Sequence, residues 1–507
     1  MSPTTLTTIA MSIFLSMTFI DETGVAVTLP SIQAEFGISA LALQWTLNAF
    51  FLTLAVFVLP AGHSADRLGA RRVFDAGMAV FVVASLGCGF SASGEMLIAA
   101  RAVQGVGAAM MLATYALLIA RVFPPERQGA ALGTSAAYGA FFLAIGPFLG
   151  GFIAEQLSWR WIFHLNAPLG LLVFLIVRRA VPGDTEPMRM PDIKPLSLAS
   201  FIFGFGGLIV ALMQAVEWGW RTPHTLGLFA CAVLGLTLFL LLQRSSRFAM
   251  VDLSLFRHKA FSSANLILLT TQVCVMCVAF WALWSQVALG MSPQMAGLSL
   301  LPAGLPILVV ARLGGIWADR AGPHAPIRLG VLLVASSAVL FAVTSAERSY
   351  LMAFAAMLLY GIGAPLVISP AIKAVLISAP DGKQGQASGI LNTMRQLGAA
   401  LAFGVIGAVL NFHDRLNTAR VVGDYPALVD GGVLDAQDVL VKSPEALANL
   451  PAAARTVVET ALSQGYADAF GIGMWGAVAF ALVGCIAAYL GLAPARRPVV
   501  RLTESGN

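Results

Sequence analysis

Fourteen runs of roughly 20 apolar residues each divide this chain, and each is long enough to cross a bilayer as a helix. They lie near 7–29, 42–62, 73–92, 96–121, 129–155, 161–178, 196–216, 224–243, 261–289, 294–316, 327–345, 349–377, 386–411 and 468–493. The chain is 58% hydrophobic and only 11% charged, whereas a soluble protein carries about 25% charged residues. So little charge cannot cover a water-facing surface, so the expectation is an all-α membrane protein of fourteen transmembrane helices.

Basic residues set the orientation. Links after even-numbered helices, with the C-terminal tail, carry Arg67, Arg71, Arg72, Arg127, Arg178, Arg179, Arg189, Lys194, Arg244, Arg247, Arg257, Lys259, Arg320, Arg328, Lys383, Arg496, Arg497 and Arg501. The short links on the other side hold Arg160, Arg221 and Arg348. The positive-inside bias then predicts both termini in the cytoplasm of a multi-pass inner-membrane protein. The first run reads as a span rather than a cleavable signal, since no Lys or Arg precedes Arg67. The net charge of +5 is spread over short loops and does not point to nucleic acid.

The chain also repeats itself. Gly62, Ala65, Asp66, Arg67 and Gly69 return as Gly315, Ala318, Asp319, Arg320 and Gly322, all at an offset of 253. Pro124, Arg127, Gln128, Gly129, Ala131 and Gly133 return at an offset of 256 as Pro380, Lys383, Gln384, Gly385, Ala387 and Gly389. Gly105, Gly107 and Ala108 likewise return as Gly361, Gly363 and Ala364. Parallel duplicated halves are a transporter architecture, with the substrate path where the halves meet. The predicted organisation is an N-terminal six-helix bundle (1–180), a linker with two extra transmembrane helices (181–258), and a C-terminal six-helix bundle (259–507). The extra pair has no counterpart in either repeat and reads as an insertion packed beside the bundle. A long link at 412–467 carries Asp414, Asp424, Asp430, Asp435, Asp438, Glu445 and Glu459, with an alanine-rich stretch near 444–464. It reads as a solvated hairpin or, more sharply, as a lid or a dock for a periplasmic adaptor protein.

Enzyme signatures are lacking. Cys274 and Cys277 form a CxxC inside an apolar run with no His nearby, which favours packing over metal or redox chemistry. There is no HExxH and no GxxxxGK[ST], so neither a metal centre nor a nucleotide cofactor of that kind is expected.

Charge inside a span is costly, roughly 2.5–3.5 kcal/mol on insertion scales, and therefore informative. Asp21 and Glu22 lie in the first run. Consecutive helix positions point about 100° apart, so at most one of them faces a cavity squarely. Asp21 is the candidate proton carrier, with Glu22 the alternative; the plainer reading is a structural acid or one reaching water at a helix end. Arg101 in the fourth run falls at a similar depth, and a buried guanidinium must find a partner. The fifth run carries Gly139, then Gly146, Pro147, Gly150 and Gly151, a pattern for a bent, closely packed helix that could seal the outer side between halves. Polar or aromatic groups in otherwise apolar spans nominate Asn48, Trp281, Trp284, Gln286, Asn392, Arg395 and Gln396 as cavity residues, each Trp being equally compatible with core or lipid packing.

Taken together, these segments resemble the fourteen-helix drug:proton antiporter family of the major facilitator superfamily over nearly the whole chain. GHSADRLGARR resembles that superfamily's loop between helices two and three, RAVQGVGAA its helix-four arginine motif, GPFLGG its antiporter motif, and IDETGVAVTLP the first-helix motif of the fourteen-helix branch. VDLSLFRHKAF and GQASGILNTMRQLG are also similar to family segments. The resemblance implies the major facilitator fold and a cytoplasmic gate built on Gly62, Asp66, Arg67, Gly69, Arg71 and Arg72, with Asp66 latching the halves. It implies proton coupling by Asp21 tuned by Arg101, and outer closure by Gly146, Pro147, Gly150 and Gly151. Gly24 and Ala26 depart from the first-helix pattern, Glu22 adds a second acid, and the second half carries Arg312, Lys373 and Arg395 in place of intramembrane acids.

The expected function is proton-coupled efflux of amphipathic compounds, cationic ones among them, by alternating access, giving drug resistance. The expected partners are a small-molecule substrate, protons and membrane lipid, with no cofactor and no nucleic acid. The rival readings are an exporter of an endogenous metabolite, lipid or siderophore, a proton symporter, and a non-transporting sensor or assembly subunit.

Overall fold

The computed structural model describes residues 1–185, 193–245, 249–424 and 452–492. Arg189, Arg247, Asp430, Asp435, Asp438, Glu445, Arg496, Arg497 and Arg501 lie outside the described residues, as does 425–451 of the long link.

The described residues form helices and no strand. The first half comprises α1 (Pro3–Phe36), α2 (Ala40–Leu68), α3 (Ala70–Gly89), α4 (Gly94–Val122), α5 (Gln128–Gln156), α6 (Arg160–His164) and α7 (Asn166–Ala180). The extra pair is α8 (Pro195–Trp218) and α9 (Pro223–Ser245). The second half comprises α10 (Lys259–Val287), α11 (Pro293–Ser299), α12 (Leu301–Ala321), α13 (His324–Thr344), α14 (Tyr350–Ser378), α15 (Gln384–Leu401), α16 (Gly407–Asp424) and α17 (Ala452–Gly491). Thirteen of the described helical segments are long and apolar enough to cross a membrane. The fourteenth is α5, bent by 46° between Leu143 and Ile145 just before Pro147. The chain is a multi-pass membrane protein.

Helix ends follow local chemistry. Ser2, Ser39 and Ser93 each accept a hydrogen bond from a first-turn N–H of α1, α2 and α4, the usual N-cap role of serine. Gly37 closes α1 in the left-handed region at φ 61°. The helices overrun their apolar windows because a backbone ladder does not stop at the hydrocarbon boundary. The span through α15 and α16 runs over Gln384–Arg420 and the last over Arg455–Gly491, 37 residues each. At 1.5 Å per residue each exceeds a hydrocarbon core of about 30 Å by roughly 25 Å. The two project together as a paired stalk, pinned where Asn417 Nδ2 donates to Gly465 O at 2.8 Å. The described part of the alanine-rich stretch is thus the first turns of α17.

The buried apolar residues form two main clusters: the first runs from the first half through the extra pair into part of the second, and the second lies within the second half. Phe14, Phe74 and Phe81 are fully buried in the first, and Trp281, Phe341 and Phe470 in the second. The extra pair is asymmetric. Only 17% of the apolar window of α9 is buried, and Val233, Leu234 and Leu241 face outward as a lipid surface. Helix α8 packs against α2 of the first half and against α15 and α16 of the second. Its Leu212 meets Gly404, within a π-helical turn at Ala402–Ile406, so closely that a Cβ there would lie 3.0 Å from Leu212 O. The extra pair thus touches both halves through α8, while α9 turns mostly outward.

Candidate functional site

Three features make up the site: a buried charge network, a pair of reciprocal latches across the seam between the halves, and a glycine-lined helix, α5, that packs against both halves.

The network lies wholly within the first half. Asp21 on α1 and Arg101 on α4 are 1% and 0% exposed, and they form an ion pair through Arg101 Nη1 and Asp21 Oδ2. Asp21 Oδ1 accepts from Gln104 Nε2 at 3.1 Å and Asn166 Nδ2 at 3.3 Å. Ser85 accepts from the same two amides at 3.2 and 2.9 Å and donates to Phe163 O. Arg101 also reaches Thr46 O through Nε at 3.0 Å and Gln104 Oε1 through Nη1 at 2.9 Å. Its guanidinium lies 4.3 Å from the centre of the Phe50 ring, a cation–π contact. Every donor around Asp21 fits a deprotonated carboxylate. Removing that negative charge leaves Arg101 as a buried cation without its counter-ion.

That logic gives a stability prediction. Arg101→Ala strands Asp21 in the core, and breaking a buried pair from one side costs about 3–5 kcal/mol. Thermal unfolding in detergent should show this loss, and Asp21→Asn in the same chain should recover most of it. Arg101→Lys keeps the charge but loses the fork that serves Thr46, Gln104 and Asp21 together.

The latches join the halves at one end of the bundle. Asp66, in the last turn of α2, accepts from Gly385 N at 2.6 Å and Gln386 N at 2.8 Å, both in the first turn of α15. Asp319, its repeat counterpart on α12, accepts from Gly129 N and Ala130 N, each at 2.9 Å, in the first turn of α5. Each half thus caps a helix of the other, placing a carboxylate at a positive helix end. Glycines permit the approach. A Cβ on Gly62 would lie 2.3 Å from Gly385 O, and one on Gly315 would lie 2.0 Å from Gly129 O. The latches are not identical, however. Lys373 pairs with Asp319 and donates to Pro125 O at 2.8 Å, while at the 256-residue offset the first half carries Leu117.

The remaining gate-motif residues tie the turn between α2 and α3 to the end of α7 and the start of the linker. Arg67 ends α2. Gly69 turns the chain at φ 98° with Asp184 directly against it, so only glycine fits. Arg71 holds Val181 O at 2.7 Å and Arg178 O at 3.1 Å, and Arg72 N donates to Asp184 Oδ2 at 3.0 Å. The segment after the extra pair docks on the Asp66 latch, with Asp252 N donating to Gln386 Oε1 at 3.1 Å and Lys383 paired to Asp252. Partial burial pushes the Asp252 carboxyl up, but the Lys383 ammonium and Ser254 bring it down to about 2. This contact therefore stays charged at any physiological pH.

Helix α5 links network to latch. Its first turns meet the second half, where a Cβ on Gly133 would lie 2.0 Å from Ala311 O. Beyond, it packs on α1: Gly139 against Phe19, Gly146 against Thr23, Gly150 against the backbone of Gly24, and Gly151 against Val27. Pro147 sits just past the bend. The expected seal between halves is therefore an intra-half contact, with Gly24 and Gly150 at its closest backbone-to-backbone approach.

The nominated cavity residues separate. Asn392 is 1% exposed and donates to Leu112 O across the seam at 3.3 Å, and Arg395 lies one turn further along α15 with Nε on Gln272 Oε1 at 3.2 Å. Gln396 is half-buried beside it. Trp281 and Trp284 are buried within the second half, where Trp281 stacks on Phe341 at 4.6 Å. Gln286 bonds back to Ala282 O, and Asn48 lines a small crevice with Trp45 and Leu52 against Val210, Met213 and Gln214 of α8. Sequence reasoning did not single out Gln104, Ser85 or Thr46, which carry no charge to betray them, nor Asp319 as a latch.

Residues 11–403 match the model of the family described as Major Facilitator Superfamily. The chain is similar to the Multidrug resistance protein Stp of Mycobacterium tuberculosis (strain CDC 1551 / Oshkosh), at 32% identity over 80% of this chain and 75% of that one. It is similar to the Tetracenomycin C resistance and export protein of Streptomyces glaucescens, at 29% identity over 80% and 75%. In fold it is similar to the crystal structure of the human organic anion transporter MFSD10, with a TM-score of 0.58, 15% identity, and 94% and 99% of the two chains covered.

Proposed function

The chain belongs to the Major Facilitator Superfamily, and from that premise we propose that it is a proton-coupled antiporter of the cytoplasmic membrane exporting amphipathic drug-like compounds. The observation that carries the coupling is the sealed Asp21–Arg101 network on the helix that α5 joins to the latches. The names of the similar resistance proteins support a drug-like cargo.

Both termini and both latches lie on the cytoplasmic side in this reading, so the structure is the state closed to the cytoplasm. Protonation of Asp21 removes the counter-ion of Arg101, and α1 must shift to relieve it. Because Gly24 and Gly150 touch backbone to backbone, that shift moves α5, and the Asp319 latch caps the first turn of α5. Substrate bound at the seam competes with this rearrangement. A potential of 100 mV supplies roughly 2.3 kcal/mol per charge and one pH unit about 1.4 kcal/mol per proton. Their sum exceeds the roughly 2.7 kcal/mol that a hundredfold substrate gradient demands.

The test is reconstitution. Proteoliposomes carrying a pH indicator should show proton movement on addition of toxic amphiphiles from a diverse panel, and an uncoupler should abolish substrate accumulation. A panel that elicits no proton flux and no uptake removes the antiport reading.

A further inference from the structure

The crevice between α2 and the extra pair has chemistry that packing does not use. Trp45, Asn48 and Leu52 of α2 share one helix face and meet Val210, Met213 and Gln214 of α8 across it. One turn along, the two helices touch: a Cβ on Gly206 would lie 3.3 Å from the Val56 side chain and 3.8 Å from that of Leu52. Two primary amides therefore line one slot. Gln214 is only 3% exposed, yet its Nε2 has no hydrogen-bond partner among the described residues. Asn48 is half-buried and makes no side-chain hydrogen bond among them either. A buried amide left without a partner is destabilising, and hydrocarbon offers it none. No charged residue lines the crevice, so it cannot select by charge. Its free space of about 10 Å³ admits one water or one protruding polar group, not a whole molecule.

Amide N–H groups call for an acceptor oxygen, while Trp45 and Met213 offer an aromatic and a polarisable surface to the ring that carries it. We propose that this crevice is a subsite for uncharged aromatic cargo, with Gln214 and Asn48 donating to a carbonyl oxygen of the compound. The extra helix pair then takes part in recognition and does not merely fill space beside the bundle. This rests on the transport reading above and names one class of its cargo. The position also suits coupling. Thr46, next to Trp45 in sequence, lies on another face of α2, where its carbonyl holds Arg101 Nε at 3.0 Å. A ligand pressing on Trp45 and Asn48 therefore bears on the helix that holds Arg101.

Benzophenone makes the test, being an uncharged aryl ketone that inserts into nearby C–H bonds under near-ultraviolet light. The full chain in lipid nanodiscs, irradiated with benzophenone and mapped by peptide mass spectrometry, should carry adducts at Met213 and along 45–52. 9-Fluorenone should compete with that labelling, whereas fluorene, the same ring system without the oxygen, should not. Gln214→Leu should raise the half-saturating benzophenone concentration about fivefold, the scale of one hydrogen bond between neutral groups. Adding Asn48→Leu should raise it further. Both substitutions delete unpaired amides, so the unfolding temperature should stay the same or rise. An amide that serves only packing would lower that temperature and leave the labelling alone. Adducts spread over the outward-facing Val233 and Leu234 with none at Met213 overturn the proposal. Equal competition by fluorene overturns it too, as does unchanged labelling in the double variant, the result for a crevice that takes only water. None of these readings needs transport. A protein that binds as described yet moves nothing across the wider panel fails the transport reading itself, a separate result.

Discussion

Asp21→Asn should yield a folded protein that no longer uses a pH gradient. Asparagine has nearly the volume of aspartate and can still accept from Gln104 and Asn166, but it cannot give up or take a proton. It also withdraws the counter-ion from Arg101, as protonation would under the antiport reading. Three of the cation's contacts survive: Thr46 O, Gln104 Oε1 and the Phe50 ring. The cost should therefore fall at or below the low end of the roughly 3–5 kcal/mol seen when a buried pair is broken. The variant mimics one protonation state permanently. Accumulation driven by a difference of one pH unit should drop about tenfold, the roughly 1.4 kcal/mol that one proton supplies. Exchange of labelled for unlabelled substrate, which needs no net proton movement, should persist. The substrate affinity of the variant should also lose its pH dependence. Unchanged pH-driven antiport in proteoliposomes would take Asp21 out of the mechanism.

The network and the latches differ in how far the sequence discloses them. A charge in a span is so costly that Asp21 and Arg101 announce each other from opposite ends of the first half. The amides and hydroxyl that complete the site carry no such penalty, and nothing distinguishes Gln104 or Ser85 from any polar residue in a helix. The duplicated motifs are plain at offsets of 253 and 256, but periodicity does not say which copy meets which. The three-dimensional answer is crosswise: Asp66 meets the second copy of the α5 motif, and Asp319 meets the first. The apolar windows locate the spans yet not their ends, since α15–α16 and α17 continue as helices well past the lipid. The bend in α5 arises where Pro147 removes a backbone donor, which the sequence supplies, though its angle does not follow from it. Trp281 and Trp284 show the limit in the other direction. Aromatic residues in a span suit a cavity or a core equally well, and only the stacking on Phe341 decides for the core.

Gly133→Ala should disable the closure at the latch end of the bundle while leaving both halves folded. The added methyl carbon would sit 2.0 Å from Ala311 O and 2.7 Å from Ala311 C, against backbone that cannot rotate away. Relief requires α5 and α12 to separate, and Gly129 and Ala130, one turn earlier, then lose the Asp319 carboxylate. The Asp66 latch on the other side is untouched, so the halves remain joined by one hinge and cannot close. Transport should fall to background, and hydrogen exchange over 125–134 should rise sharply with little change in the first-half core around Phe14 and Phe74. Gly304 on α12 supplies the control, because nothing lies within 4 Å of the Cβ it lacks. Gly304→Ala replaces the worse helix former and should be neutral or stabilising by up to about 1 kcal/mol. The same substitution at a glycine packed against backbone and at one facing open space is thus predicted to have opposite consequences, which generic helix propensity cannot produce. Wild-type transport by Gly133→Ala with its 125–134 amides still protected would mean that the cycle does not need the α5–α12 contact, and the crosswise latches would be packing rather than gate.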